Sequence, residues 1–155
     1  MKLYLCDATA TEALAEDVAA SLPGDVGGWT VLLNGELGAG KSTFARAFIR
    51  ALGHEGAVPS PTYTLVEPYS LKRGQVYHVD LYRIAAEEEL HYLGWSDLDD
   101  GLRLIEWAER APGLSDSADL ALTLRYDGEG RRAEIAAVSA RAADIVAGLS
   151  ANPNT

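Results

Sequence analysis

The chain has 155 residues, of which 48% are hydrophobic and 23% are charged. This composition is typical of a globular protein, and the length predicts one domain over residues 1–150 with a flexible tail at 151–155. A net charge of −10 argues against strong direct binding to nucleic acid, which depends on lysine and arginine contacts with phosphate. No apolar run approaches the roughly 18 residues that suggest a membrane span. A lone cysteine, Cys6, suits a reducing cytoplasm and is predicted to be buried.

The first part of the chain predicts a strand, a helix and a second strand. Residues 1–6 are predicted to form the first short strand. Thr9 or Thr11 can cap a helix that ends near Ser21. Residues 29–34 are apolar and partly β-branched, which is typical of a buried strand.

A glycine-rich stretch follows this strand directly. Residues 35–43 read Gly-Glu-Leu-Gly-Ala-Gly-Lys-Ser-Thr and match the phosphate-binding pattern G-x-x-x-x-G-K-[ST]. Apolar residues recur at helical spacing over 44–52, so the loop joins a strand to a helix N-terminus. Such a loop presents backbone N–H groups to an anion, with Lys41 reaching the β- and γ-phosphates and Ser42 placed on Mg²⁺. The sequence therefore predicts a nucleotide triphosphate site here.

The middle of the chain predicts an extended loop and a hairpin. Prolines stiffen residues 58–65 and disfavour a helix there. Pro68 within the next strand, 65–70, predicts an edge position because proline cannot donate to a sheet ladder. The chain then turns and returns as a strand over 75–81.

The remaining elements complete a mixed fold. A short acidic helix is predicted at 86–94, an apolar strand at 102–106, a second hairpin from 120–126 and 133–137, and a final helix at 140–149. Together the elements predict an α/β, P-loop NTPase-type domain with a mixed central sheet, hairpins, and helices on both faces.

Two acidic residues end predicted strands. Hydrolysis of a nucleotide needs a carboxylate for Mg²⁺ and a group that orients water, and Asp80 and Glu106 are the candidates. Either could instead be a structural or surface charge. Thr62 could contact the γ-phosphate or Mg²⁺, or simply form a turn. His78 is interpreted as a structural histidine, and Trp107 as a packing residue on the side opposite Glu106.

Four blocks together resemble one family. The blocks are Gly-Glu-Leu-Gly-Ala-Gly-Lys-Ser-Thr-Phe at 35–44, Ser-Pro-Thr-Tyr-Thr-Leu at 60–65, His-Val-Asp-Leu-Tyr-Arg at 78–83, and Ile-Glu-Trp-Ala-Glu-Arg at 105–110. In that order and spacing they resemble the TsaE (YjeE) family.

The resemblance implies a bacterial cytoplasmic ATPase that uses ATP and Mg²⁺. It implies a role in threonylcarbamoylation of the adenosine beside the anticodon of tRNA. The family acts on a complex of the TsaD and TsaB proteins, in which TsaD performs the transfer. Contact with tRNA would be indirect, which agrees with the acidic charge of the chain.

The resemblance also implies roles for individual residues. Ser42, Asp80 and Glu106 would serve the metal. Asp80, Glu106 and Thr62 would act in catalysis, and Trp107 would join the residues that bind the nucleotide. The full implied site comprises Glu36, Leu37, Gly38, Ala39, Gly40, Lys41, Ser42, Thr43, Thr62, Asp80, Glu106 and Trp107.

Two other functions fit the same loop. One is a small-molecule kinase, although no long basic lid is evident in the sequence. The other is a binding module in which ATP orders the Thr62 loop without being hydrolysed. An ATPase that resets a partner enzyme is the leading hypothesis, with Arg83 or Arg110 as candidates for an internal arginine finger.

Overall fold

Seven strands form one mixed sheet in the computed structural model, which describes residues 1–151. The strand order is β1-β7-β6-β2-β5-β4-β3. Strand β2 runs parallel to β5 and β6, and β4 runs parallel to β5, whereas the other pairs are antiparallel. The strands are β1 (Lys2–Leu5), β2 (Thr30–Asn34), β3 (Val66–Leu71), β4 (Gly74–Asp80), β5 (Leu102–Glu106), β6 (Leu120–Asp127) and β7 (Gly130–Ala137); the α-helices are α1 (Ala8–Ser21), α2 (Lys41–Ala51) and α3 (Ala140–Ala151).

Strand β2 lies at the centre of the sheet because its side chains are apolar on both faces. Val31 and Leu33 join the core on one face, and Leu32 joins a second core on the other. Strand β3, which contains Pro68, lies at the end of the strand order. The predicted mixed α/β fold and the predicted edge strand are therefore confirmed.

The three α-helices pack on one face of the sheet, where Leu14 of α1, Phe44 of α2 and Leu149 of α3 share one core cluster. The opposite face is covered by four short 3₁₀ helices: Glu87–Leu93, Trp95–Leu98, Ala108–Arg110 and Pro112–Ser117. Helices thus cover both faces as predicted, but the acidic segment is a 3₁₀ helix. It contributes one buried residue, Leu90, so a longer α-helix would gain little packing there.

The start of α1 corrects two predictions. The helix is capped by Asp7, whose Oδ1 accepts a hydrogen bond of 2.8 Å from the Ala10 N–H, and not by Thr9 or Thr11. Cys6 is exposed rather than buried. The reason is that β1 ends at Leu5, so Cys6 lies in the turn that enters the helix.

The C-terminal helix is longer than predicted. It continues through Ser150 to Ala151, the first residue of the predicted tail. The other residues of that predicted tail, 152–155, lie outside the described part of the chain. No helix within residues 1–151 has the length and apolar character to cross a membrane.

Candidate functional site

The loop from Gly35 to Gly40 joins β2 to α2, and glycine is required at both ends. Gly35 has φ +145°, and a Cβ there would lie 2.5 Å from the carbonyl oxygen of Leu124. Gly40 is the N-cap of α2 in the left-handed conformation, with φ +106°. Side chains would be strained at these positions. The two glycines therefore let the loop turn tightly over β6.

Two side chains of the β6–β7 hairpin hold the loop from outside. The Tyr126 hydroxyl donates to the Leu37 carbonyl at 3.0 Å, and the Arg131 guanidinium donates to the Gly38 carbonyl at 3.2 Å. The guanidinium also lies 4.2 Å from the centre of the Tyr126 ring. The carbonyls are thus occupied on one side of the loop.

The N–H groups of the loop are available to a ligand. Within residues 1–151, the N–H groups of Leu37, Gly38 and Gly40 donate no hydrogen bond to the protein. The N-terminus of α2 follows directly and adds the positive end of its dipole. Unpaired N–H groups beside a helix N-terminus fit a phosphate chain.

Lys41 lies at the first position of α2 with its ammonium folded over the loop. The Nζ atom donates to the carbonyls of Gly35 and, at 3.0 Å, Glu36. It also lies 4.3 Å from the centre of the Trp107 ring. Burial lowers the pKa of the Lys41 ammonium, while the nearby Glu106 carboxylate opposes that shift.

Asp80 and Glu106 end the neighbouring parallel strands β4 and β5 and are directly opposite in register. Both are buried. The Oδ2 atom of Asp80 accepts a hydrogen bond of 3.0 Å from the Thr62 hydroxyl, and Oδ1 accepts one of 2.8 Å from the Tyr82 N–H. The sheet thus places two carboxylates at the edge where the glycine-rich loop begins.

His78 contacts Glu106, which the sequence analysis did not foresee. Its Nε2 atom lies 2.7 Å from Oε2 of Glu106, and both side chains are buried. Strand alternation placed His78 and Asp80 on one face, but the neighbour of β4 could not be read from the chain. Knowledge of the β4–β5 pairing would have revealed the contact.

The loop and the carboxylates enclose an open cavity of about 350 Å³. Every predicted site residue lines it except Glu36, which is exposed, and Ala39, which is buried in the core. Two lining residues, Ser60 and Tyr82, were not predicted. The lining comprises Leu37, Gly38, Gly40, Lys41, Ser42, Thr43, Ser60, Thr62, Asp80, Tyr82, Glu106 and Trp107.

Trp107 corrects the prediction that it packs away from Glu106. It follows the end of β5 and has φ +59°, so strand alternation no longer applies to it. Its ring faces the Lys41 ammonium and lies 5.0 Å from the Tyr82 ring. Both neighbours line the cavity, so the ring belongs to the site wall.

The candidate arginines lie beside the cavity without lining it. The Arg83 guanidinium lies 4.2 Å from the centre of the Tyr63 ring, and that of Arg110 lies 5.6 Å from the centre of the Tyr82 ring. The structure therefore places neither arginine in the wall of the cavity.

The oxygen atoms that line the cavity suit Mg²⁺, which keeps water ligands, better than they suit a metal ion coordinated only by protein side chains. Residues 1–151 contain no cluster of three or more histidine, cysteine, aspartate or glutamate side chains that could hold a metal. The Ser42 hydroxyl and the carboxylates of Asp80 and Glu106 nevertheless line one cavity. Mg²⁺ usually takes one or two protein oxygens and completes its shell with water and phosphate.

Comparison with known proteins identifies the family. The family model described as "Threonylcarbamoyl adenosine biosynthesis protein TsaE" matches residues 5–134. The chain belongs to the TsaE family. A TsaE protein of Haemophilus influenzae is 42% identical over 122 residues, which are 77% of this chain and 77% of that protein. A TsaE protein of Nostoc is 34% identical over 152 residues, which are 94% of this chain and 91% of that protein.

The fold of this TsaE chain also matches a solved structure. The crystal structure of YdiB from Bacillus subtilis superposes with a TM-score of 0.74 and 26% sequence identity, covering 97% of this chain and 93% of that one. The resemblance inferred from the four sequence blocks is therefore confirmed, and with it the P-loop NTPase-like fold.

Proposed function

We propose that this TsaE chain is a Mg²⁺-dependent ATPase that supports threonylcarbamoylation of tRNA by acting on the TsaD–TsaB transferase complex. One observation carries the proposal. A single cavity combines the phosphate-type loop, Lys41 and Ser42 with the strand-end carboxylates Asp80 and Glu106. Loop, cation, hydroxyl and carboxylate are the parts that nucleotide hydrolysis requires.

The chain's own groups divide the work of binding. The N–H groups of the loop and the Lys41 ammonium bind the phosphates, and the ammonium has one N–H left for phosphate while it donates two to the carbonyls of Gly35 and Glu36. Trp107 covers the ammonium and excludes water from it. Because the ammonium is desolvated before ligand arrives, its attraction to phosphate is stronger than in water.

The carboxylates act at the other side of the cavity. Bound Mg²⁺ would neutralise charge on the β- and γ-phosphates. The Ser42 hydroxyl and the carboxylates of Asp80 and Glu106 would hold the metal or its waters, and Glu106 would orient the attacking water. The Thr62 hydroxyl donates a hydrogen bond to Asp80. A metal ion or water that binds Asp80 would therefore also affect the position of the Thr62 loop.

A second cavity extends the site beyond the loop. It measures about 190 Å³ and shares Gly38, Gly40 and Thr43 with the first. Thr11 and Arg131 are among its other lining residues. Since the phosphates occupy the shared loop, the nucleoside of ATP fits on this side, with Thr43 near the α-phosphate.

The experiment that tests the function is Mg²⁺-dependent phosphate release by the purified chain, alone and mixed with the TsaD and TsaB proteins. We expect slow turnover alone and faster turnover with the partners. In Glu106→Gln, which keeps the size and loses the carboxylate, turnover should fall by at least about tenfold while ATP still binds.

The exposed Glu88 supplies a matched control, because it is a glutamate of the 3₁₀ helix Glu87–Leu93 that does not line the cavity. Glu88→Gln should keep wild-type turnover. ATP binding without any effect of the partners would contradict the proposal and favour a binding module. Transfer of the γ-phosphate to a metabolite would instead favour the kinase.

A further inference from the structure

The contact between His78 and Glu106 is the only direct side-chain hydrogen bond to Glu106 within residues 1–151. His78 is 2% exposed and Glu106 is 4% exposed. A polar pair at this depth is stable only when its protons are placed to satisfy it. The geometry therefore restricts which nitrogen of the ring carries hydrogen.

The unpartnered ring nitrogen decides the tautomer. The Nδ1 atom of His78 is buried and has no hydrogen-bond partner among the described residues. A proton on Nδ1 would leave a buried N–H donor without an acceptor, which costs more free energy than a buried acceptor without a donor. A proton on Nε2 donates to Oε2 of Glu106 and leaves only a bare acceptor at Nδ1.

We infer that His78 is a positioning residue that carries its ring proton on Nε2 and orients Glu106 for its action on nucleotide. The hydrogen bond from His78 Nε2 holds Oε2 of Glu106. The other oxygen, Oε1, has no partner among the described residues, and Glu106 lines the cavity. One carboxylate oxygen is thus held by His78, and the other is left without a protein partner within residues 1–151, in a residue that lines the cavity.

Strand pairing explains why the two side chains meet. His78 lies two residues before Asp80 on β4, and Asp80 is opposite Glu106 on β5. Both side chains of the pair project from adjacent hydrogen-bonded strands on the face that carries α1 and α2. Mutation of a residue that hydrogen-bonds to a catalytic or metal-binding group typically lowers activity or metal affinity by about 10- to 100-fold.

The first test measures the tautomer in nucleotide-free protein, independently of turnover. Long-range ¹H–¹⁵N NMR of the imidazole rings distinguishes a protonated from a bare nitrogen, and His78→Gln identifies the signals of His78. We expect the proton on Nε2 and a changed His78 signal in Glu106→Gln. A proton on Nδ1 in the wild type would overturn the inference.

The second test uses two amides of different reach. His78→Gln can place an amide donor close to the position of Nε2, whereas the shorter His78→Asn cannot reach Glu106. We expect turnover of His78→Gln within about threefold of the wild type and a fall of about 10- to 100-fold for His78→Asn. ATP affinity should stay within about threefold in both. Equal turnover of the two variants, or a loss confined to affinity, would contradict a positioning role.

Two controls separate positioning from simple destabilisation. Val76→Ala, which truncates a fully buried side chain on the same face of β4, should lower the melting temperature without lowering turnover. In a Glu106→Gln background, His78→Asn should cause no further loss, because it acts through the absent carboxylate. An additional loss of the same size would overturn the inference.

This inference rests on the proposed function, but the two fail differently. A wild-type chain with Nε2 protonated and no turnover, even with the TsaD and TsaB proteins, would refute the ATPase and leave the hydrogen bond established. A wild-type chain that hydrolyses ATP but carries the proton on Nδ1 would refute the positioning role alone.

Discussion

Lys41 places a nearly buried ammonium group beside the glycine-rich loop. It is 6% exposed and is held by the loop carbonyls of Gly35 and Glu36. Burial lowers its pKa, with Glu106 opposing the shift. A lowered pKa means that the charged form is disfavoured by folding, so at neutral pH this lysine reduces the stability of the free protein.

We therefore predict opposite effects of Lys41→Met on binding and on stability. ATP affinity, measured by calorimetry, should fall more than about tenfold because the phosphates lose their cation. The free energy of unfolding at pH 7, measured with urea, should be unchanged or higher by up to about 1 kcal/mol, since a buried charge is replaced by an apolar chain.

The control for this prediction is Lys72→Met, which changes an exposed lysine in the turn between β3 and β4. It should alter neither quantity. Destabilisation by Lys41→Met of more than about 1 kcal/mol would mean that the bonds to the loop carbonyls outweigh the desolvation of the ammonium.

Asp119, the residue before β6, connects several elements. Its carboxylate accepts hydrogen bonds from the Thr30 N–H at the start of β2 at 3.0 Å and from the Ser139 hydroxyl before α3 at 2.7 Å. The Arg141 guanidinium of α3 donates to both oxygens. Burial tends to raise the pKa of Asp119, but these bonds outweigh it and hold that pKa below its usual value.

This arrangement predicts a pH dependence of stability. Because the folded pKa is lower than the unfolded one, the contribution of Asp119 is full above the unfolded pKa of about 3.9 and is lost as the pH falls through the folded value. Asp119→Asn should lower the free energy of unfolding by about 1–3 kcal/mol at pH 7. It should also flatten the loss of stability below about pH 4, measured by urea unfolding at several pH values.

Asp144→Asn is the comparison, since Asp144 is exposed on α3. It should keep the wild-type stability and its acid dependence. An Asp119→Asn variant as stable as the wild type at pH 7 would show that the α3 anchor contributes little.

The acidic charge of the whole chain bears on its partners. A net charge of −10 repels the phosphates of tRNA, and Lys41 is buried within the cavity beside the loop. The proposed role in tRNA modification therefore requires that other proteins hold the tRNA.

We predict no measurable binding of tRNA by the isolated chain at physiological salt, with a Kd weaker than about 100 μM by fluorescence anisotropy. Addition of the TsaD and TsaB proteins should produce binding in the same assay. A micromolar Kd for the chain alone, weakening as salt is added, would contradict the indirect role.

Much of the fold could be predicted because its signals are local. Glycine and proline positions, strand alternation and helical spacing predicted β2, the loop, α2 and both hairpins correctly. Predictions failed where a local signal was weak. Asp7, Thr9 and Thr11 can all cap a helix, and the sequence does not show which of them precedes the first turn. The burial of Cys6 depends on where β1 ends, which the sequence also leaves open.

The amino-acid sequence alone predicted a glycine-rich loop between a strand and a helix, since the glycines followed by Lys41 and Ser42 match a phosphate-binding pattern that occurs at such a junction. It also specified the family through four spaced blocks. Strand order and register, which only the tertiary structure shows, decided which side chains meet in the cavity. Glu106 meets His78, and Trp107 covers Lys41, because strands far apart in the chain become neighbours in the sheet. Pairings of that kind depend on packing of the whole domain, which short-range patterns do not encode.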